Sequence, residues 1–174
     1  AINGSALTNL PSTSTADILS AAELTFTATS NIGLGANAVD SITTGDYNVG
    51  LGDDALTATT SGHSNTANGY KALAANTTAN NNTAIGRHSL LTNTTGADNT
   101  AVGRDSMRMN LTGSSNVGIG YETLYANTSG AYNVALGALA LDANTTASNN
   151  TAVGYASLTA NTTGHSNVAI GKDA

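Results

Sequence analysis

Three histidines, eleven carboxylates and no cysteine make up the acid–base and metal-ligating inventory of this chain, and their spacing decides what they can do. His63 and His165 occupy equivalent places in a 17-residue repeat, six units apart, and His88 falls in another column. If each unit adds one strand spacing of about 4.8 Å, His63 and His165 are separated by roughly 29 Å. At that distance they share neither a metal ion nor a proton-transfer step. A nucleophile, a base and an orienting acid must converge within hydrogen-bond reach, and no unit supplies such a set. Asp53 and Asp54 form the one adjacent acidic pair, without the Asp-rich nonapeptide turns that bind calcium in some repeat proteins. We therefore expect no enzyme, no cofactor and no resident metal.

The remaining candidates are repeated polar columns. Asn76, Asn93, Asn110, Asn127, Asn144 and Asn161 each open an Asn-x-Ser/Thr triplet, formally a ladder of glycosylation acceptors. Asn tolerates left-handed corners, so the favoured reading is that these residues close a turn and bond along a stack. The pairs Thr77-Thr78, Thr94-Thr95, Thr145-Thr146 and Thr162-Thr163 raise ice binding as a minor alternative. A flat hydroxyl array needs Thr-x-Thr, however, because neighbours on a strand point to opposite faces. Tyr70, Tyr121 and Tyr155, with Tyr47 and Tyr132, are candidates for stacking on sugars or on another protein.

What positions all of these is the repeat itself. The pattern Asn-x-(Ala/Gly)-x-Gly starts at Asn31, Asn48, Asn65, Asn82, Asn99, Asn116, Asn133, Asn150 and Asn167, always 17 residues apart. It closes at Gly35, Gly52, Gly69, Gly86, Gly103, Gly120, Gly137, Gly154 and Gly171. We number the Asn as position zero. Position four is then always Gly, which suggests a corner needing positive φ or a close backbone approach. Position three is apolar except at Asn68, position two is Ala or Gly, and position eight is a large aliphatic in every unit that reaches it. Charges concentrate at positions five and six, which are expected to meet water.

A period of 17 is too short for a helix pair or a propeller blade. It suits one coil of an all-β parallel β-solenoid, with two or three short strands per coil and corners between them. Residues 31–174 make nine such units, the last incomplete, and coils stacked at about 4.8 Å give a rod on the order of 40 Å long. Strand alternation places positions two and three on opposite faces, and likewise positions seven and eight. A thin coil has one interior, so the other face would leave a continuous stripe larger than a soluble monomer tolerates. Chains are therefore expected to associate side by side, most simply as a parallel homotrimer.

Composition narrows the field further. Charged residues are 9 % of the chain, which with fixed-phase aliphatics argues against disorder. A net charge of −6 with five basic residues speaks against a nucleic-acid surface. No apolar run is long enough for a membrane helix. Residues 1–30 stand outside the repeat as an arm or cap. Ser12–Thr15 is expected to cap a short helix reaching about Leu24, and Leu24, Phe26 and Ala28 alternate as a strand. Ala1 is not a start methionine, and the chain reads as a mature product or an excised fragment.

The segments Ser166–Gly171 and Asn99–Gly103 resemble the head repeats of trimeric autotransporter adhesins, and Asn150–Gly164 is similar to repeats of bacteriophage tail and head fibres. The resemblance implies a left-handed β-roll, a trimer, an extracellular, cell-surface or virion location, and attachment to a host-surface protein or glycan. Together with the columns it gives the expected function, a structural and adhesive fibre module. The alternative is a purely structural filament that polymerises end to end, residues 1–30 completing a neighbour's last coil by strand addition.

Overall fold

A computed structural model describes the backbone of Leu24–Thr27 and residues 30–174. The expected helix over Ser12–Leu24 falls outside these residues, apart from Leu24, which is in a strand. Ten strands form one sheet in sequence order: β1 (Leu24–Thr27), β2 (Asn31–Leu34), β3 (Val49–Leu51), β4 (Thr66–Asn68), β5 (Thr83–Ile85), β6 (Thr100–Val102), β7 (Val117–Ile119), β8 (Val134–Leu136), β9 (Thr151–Val153) and β10 (Val168–Ile170). Strands β2 to β10 are parallel, each in register with the residue 17 positions on, as in Ala84 opposite Ala101. The protein is thus an all-β parallel solenoid of 17-residue coils, with no helix among the described residues. β1 runs antiparallel to β2, with Leu24 opposite Leu34, and covers the outer edge of the first coil.

Each coil holds one three- or four-residue strand, where two or three were expected. The strand forms where a β-branched residue sits at position one of every coil and an aliphatic residue at position three of all but one, side chains that suit a pleated surface. Beyond the Gly, the backbone leaves the extended region at three non-glycine places per coil. Position six has φ of 51–61°, position eight 49–55° and position sixteen 57–61°. A left-handed L-residue costs about 1–2 kcal/mol, so a second extended run cannot start there. The conformation is held because its amides find the neighbouring coils. In the fifth coil, Asp105 N–H donates to Arg87 O at 3.0 Å, in the coil before, and Met107 N–H to Thr123 O at 2.8 Å, in the coil after.

The interior is one side chain thick. Position two points inward, so Ala67, Ala84, Ala101, Ala135 and Ala152 are fully buried. Leu56, Leu73, Leu90, Met107, Leu124 and Leu141 stack as a column in the same core. Their neighbours at position seven are buried as well, Ala55 and Ser106 among them. The expected opposition of positions seven and eight is therefore wrong. It assumed a strand, whereas the left-handed turn at position eight brings both side chains inside. Column volumes compensate one another. Gly118 sits where an added Cβ would lie 3.0 Å from both Met107 Cε and Thr123 Oγ1, the longest side chain at position eight and the largest at position seven.

Candidate functional surface

Because position two takes the inside, positions one and three of every strand face outward. Ile32, Leu34, Ile85, Ile119, Val134, Leu136, Val168 and Ile170 are all exposed, and no coil carries a charged residue at either position. They form an uninterrupted uncharged stripe along the length of the sheet.

Beneath the stripe runs a ladder of buried amides. In a middle coil, Asn99 Oδ1 accepts the backbone N–H of Asn116 at 3.0 Å and its Nδ2–H at 3.2 Å. Asn99 Nδ2 in turn donates to Asn82 Oδ1 at 3.1 Å and to Gly113 O of its own coil at 2.9 Å. Position zero repeats this bond from Asn31 to Asn167. A second ladder is built by the Asn-x-Ser/Thr residues. Asn93, Asn110, Asn127 and Asn144 each donate Nδ2–H to the Oδ1 of the equivalent Asn one coil earlier. Asn76, Asn93, Asn110, Asn127 and Asn144 are completely buried, and Asn161 half-buried. A glycan on those five nitrogens would occupy the coil interior. The threonines that follow them serve the stack too, as when Thr77 Oγ1 donates to Thr94 O at 3.2 Å.

The edge formed by positions five, six and nine carries most of the titratable groups. Tyr70, Tyr121 and Tyr155 are all exposed there, and each has a cation over its ring: Lys71 at 5.2 Å, Arg104 at 4.9 Å and Lys172 at 5.9 Å. Arg108 lies 5.9 Å from the ring of Tyr125, a pairing absent from the candidates that residue type and spacing suggest. The only local signal was Tyr at position nine, one coil after an Arg in that column. Four of the five basic residues, Lys71, Arg87, Arg104 and Arg108, fall in three successive coils. The middle of the rod therefore carries a cationic, aromatic band between acidic ends.

Position five meets water as expected, whereas position six in part does not. Asp105 is 3 % exposed and His88 9 %. Position six is left-handed in every coil, exposed at Asn37 and Asp173 and buried at His88 and Asp105, which meet each other across successive coils. Asp105 Oδ2 accepts Arg104 Nε–H at 2.8 Å, and its Oδ1 lies 3.3 Å from His88 Nδ1. Burial alone would raise the Asp105 carboxyl, but hydrogen bonds from Arg104 and His88 and the charge of Arg108 hold it below the usual carboxylate range. Burial, then the charge of Arg87, push His88 below the usual imidazole value. Both signs make acid destabilising. A histidine with a lowered folded pKa opposes folding once pH falls below its unfolded value of about 6.5, and a carboxylate with a lowered pKa loses its contribution below about 4. Stability should therefore decline in two steps on acidification. In His88→Gln the upper step should be absent by thermal melts from pH 8 to 3, and a wild-type profile flat between pH 7 and 5 would contradict this.

His63 and His165 have structural work. His63 Nδ1 accepts the N–H of Asp46 at 3.0 Å, and His165 Nδ1 that of Ser148 at 2.9 Å, each one coil back. Asn80, Ser114 and Ser148 accept equivalent bonds in the same column. Among the described residues, no three His, Asp or Glu gather as a metal site, and no helix is long and apolar enough to cross a membrane. A shallow open groove lined by Asp54, Thr57, Lys71, Ala74, Ala75, Leu91 and Thr92 lies on the cationic edge. Comparison with protein-family models, with curated proteins and with solved structures finds no match.

Proposed function

We propose that this chain is a structural and adhesive fibre module: a rigid rod, associated with two further copies in parallel, that presents its edges to a host surface. The observation that carries this reading is the uncharged outward stripe of positions one and three, repeated in all nine coils. Its knobs recur once per coil, so a flat partner contacts the stripe in full only if it shares the axial spacing of about 4.8 Å. Another copy of the chain does. Three stripes meeting on one axis remove the apolar surface from water and leave the tyrosine and cation edges outside. The adhesin-head resemblance of Asn99–Gly103 and Ser166–Gly171 supports the same arrangement, with a left-handed roll and an extracellular, cell-surface or virion location. The cationic band of Lys71, Arg87, Arg104 and Arg108 is the part of the edge best suited to an acidic glycan or protein.

The filament alternative is less well supported. It needs residues 1–30 to complete a neighbour, yet Leu24–Thr27 already pairs with β2 of its own chain.

Ile119→Lys tests the reading. The side chain is 39 % exposed and points away from the core, so the coil should fold unchanged. A lysine on the shared axis would bury three like charges, and the assembly should dissociate to monomers with the same circular dichroism spectrum. An oligomer as stable as wild type would show that the stripe is not the contact.

A further inference from the structure

The outward column at position three breaks its apolar rule once, at Asn68, where the other eight coils carry Leu, Ile or Val. Thr66 precedes it at position one, so this is the one rung of nine whose two outward side chains are both polar. Asn68 is exposed, and its amide makes no hydrogen bond among the described residues. The coil does not need it. Its backbone carbonyl accepts Gly86 N–H at 2.8 Å, just as Ile85 O accepts Gly103 N–H at 2.7 Å one coil later. An aliphatic residue would serve the fold equally well.

We infer that Asn68 is the register marker of the side-by-side assembly: copies align parallel and in step because only then do their Asn68 amides meet. This inference rests on the self-association proposed above. The need for a marker follows from the repeat. A stripe that recurs every 17 residues can slide by one coil, about 4.8 Å, and still lay apolar on apolar at almost every rung. Such flat, periodic faces specify register weakly. In register, the Asn68 amides can bond one another across the shared axis. Shifted by one coil, each faces Leu51 or Ile85, and in a centred antiparallel pair it faces Leu136. A buried amide left without a partner disfavours those arrangements by about tenfold or more per residue. Single buried asparagines fix register in this way in other apolar interfaces, at some cost in stability.

The chain has no cysteine, so single spin labels can be placed cleanly. Thr44 and Thr146 are exposed, occupy the same column six coils apart, and lie off the stripe. Protein carrying a nitroxide at Thr44→Cys is mixed with protein carrying a gadolinium chelate at Thr146→Cys, and distances between the unlike labels on different copies are read by pulsed electron resonance. In the wild type we expect one distance population. In Asn68→Ile we expect several, spread by one-coil steps and including short antiparallel separations, with an association at least as strong. Asn68→Ile/Ile85→Asn moves the amide by one coil and should restore a single population. A single unchanged population in Asn68→Ile, or failure of the double variant to restore it, overturns the register role while leaving self-association standing. No distance between copies in the wild type, with a monomeric mass, overturns both.

Discussion

Gly86→Ala should be among the most damaging single substitutions in the rod, lowering stability by about 3 kcal/mol or more. The residue has φ of 129°, a region that L side chains rarely enter. An added Cβ would also lie 2.5 Å from Gly103 O and 2.6 Å from Gly103 C. Those atoms belong to the backbone of the next coil, which has no freedom to retreat. Gly103 N–H is fixed to Ile85 O at 2.7 Å, and Gly103 itself abuts Gly120 in the coil beyond. Relief therefore requires parting two coils. Coils are stabilised by their neighbours, so a break in the middle weakens both halves. Urea unfolding followed by circular dichroism should show the loss. A change under 1 kcal/mol would mean the glycine column is replaceable and its invariance accidental.

The second large effect is expected from Asn99→Ala, at about 3–5 kcal/mol. Its side chain makes four hydrogen bonds inside the rod, two given and two received. Its removal leaves the buried Asn116 backbone N–H with no side-chain partner, at about 1–3 kcal/mol, and forfeits three further bonds at about 1 kcal/mol each, although Gly113 O keeps the Nδ2–H of Asn110. The same amide bond links Asn82 to Asn99, so the effects of Asn82→Ala and Asn99→Ala should fall short of adding, by about 1 kcal/mol or more. Additive losses in a double-mutant cycle would show that the rungs act independently and that the ladder is no continuous network.

The period and the parallel stacking were legible in the sequence, because a repeat without insertions turns columns into faces, whereas which of positions two and three faces outward was not. The opposition of positions two and three followed from strand geometry alone. Position eight was misread for one reason. Leu73, Leu90 and Met107 adopt left-handed backbone conformations that local propensity disfavours, and only bonding to adjacent coils makes them tenable. No single-residue signal announces that. Burial of Asp105 and His88 was hidden because charge at position six looks like solvent exposure until the two side chains are seen to meet across successive coils. The two asparagine columns looked alike as turn formers. Their hydrogen-bond continuity depends on the coil cross-section, which spacing does not reveal. The equivalence of His63 and His165 was legible from their spacing, but their task of accepting backbone N–H groups depends on the path of the neighbouring coil.

Asn68 shows the converse, a departure visible in the sequence whose meaning needed the structure. A polar residue in an apolar column could have been an inward defect needing a partner. Its outward position and free amide make it a feature of the surface. The tyrosines gain from the structure in a similar way: Tyr70, Tyr121 and Tyr155 stand in one column with cations beside them. That arrangement gives the edge a defined chemistry on which a glycan or protein could be held.

Side-by-side association through the outward strand face is the claim on which the fibre reading depends. Sedimentation equilibrium of the wild-type chain at micromolar concentration and neutral pH tests it most directly. The predicted result is a single species with the mass of three chains. A stable monomer under those conditions would contradict it.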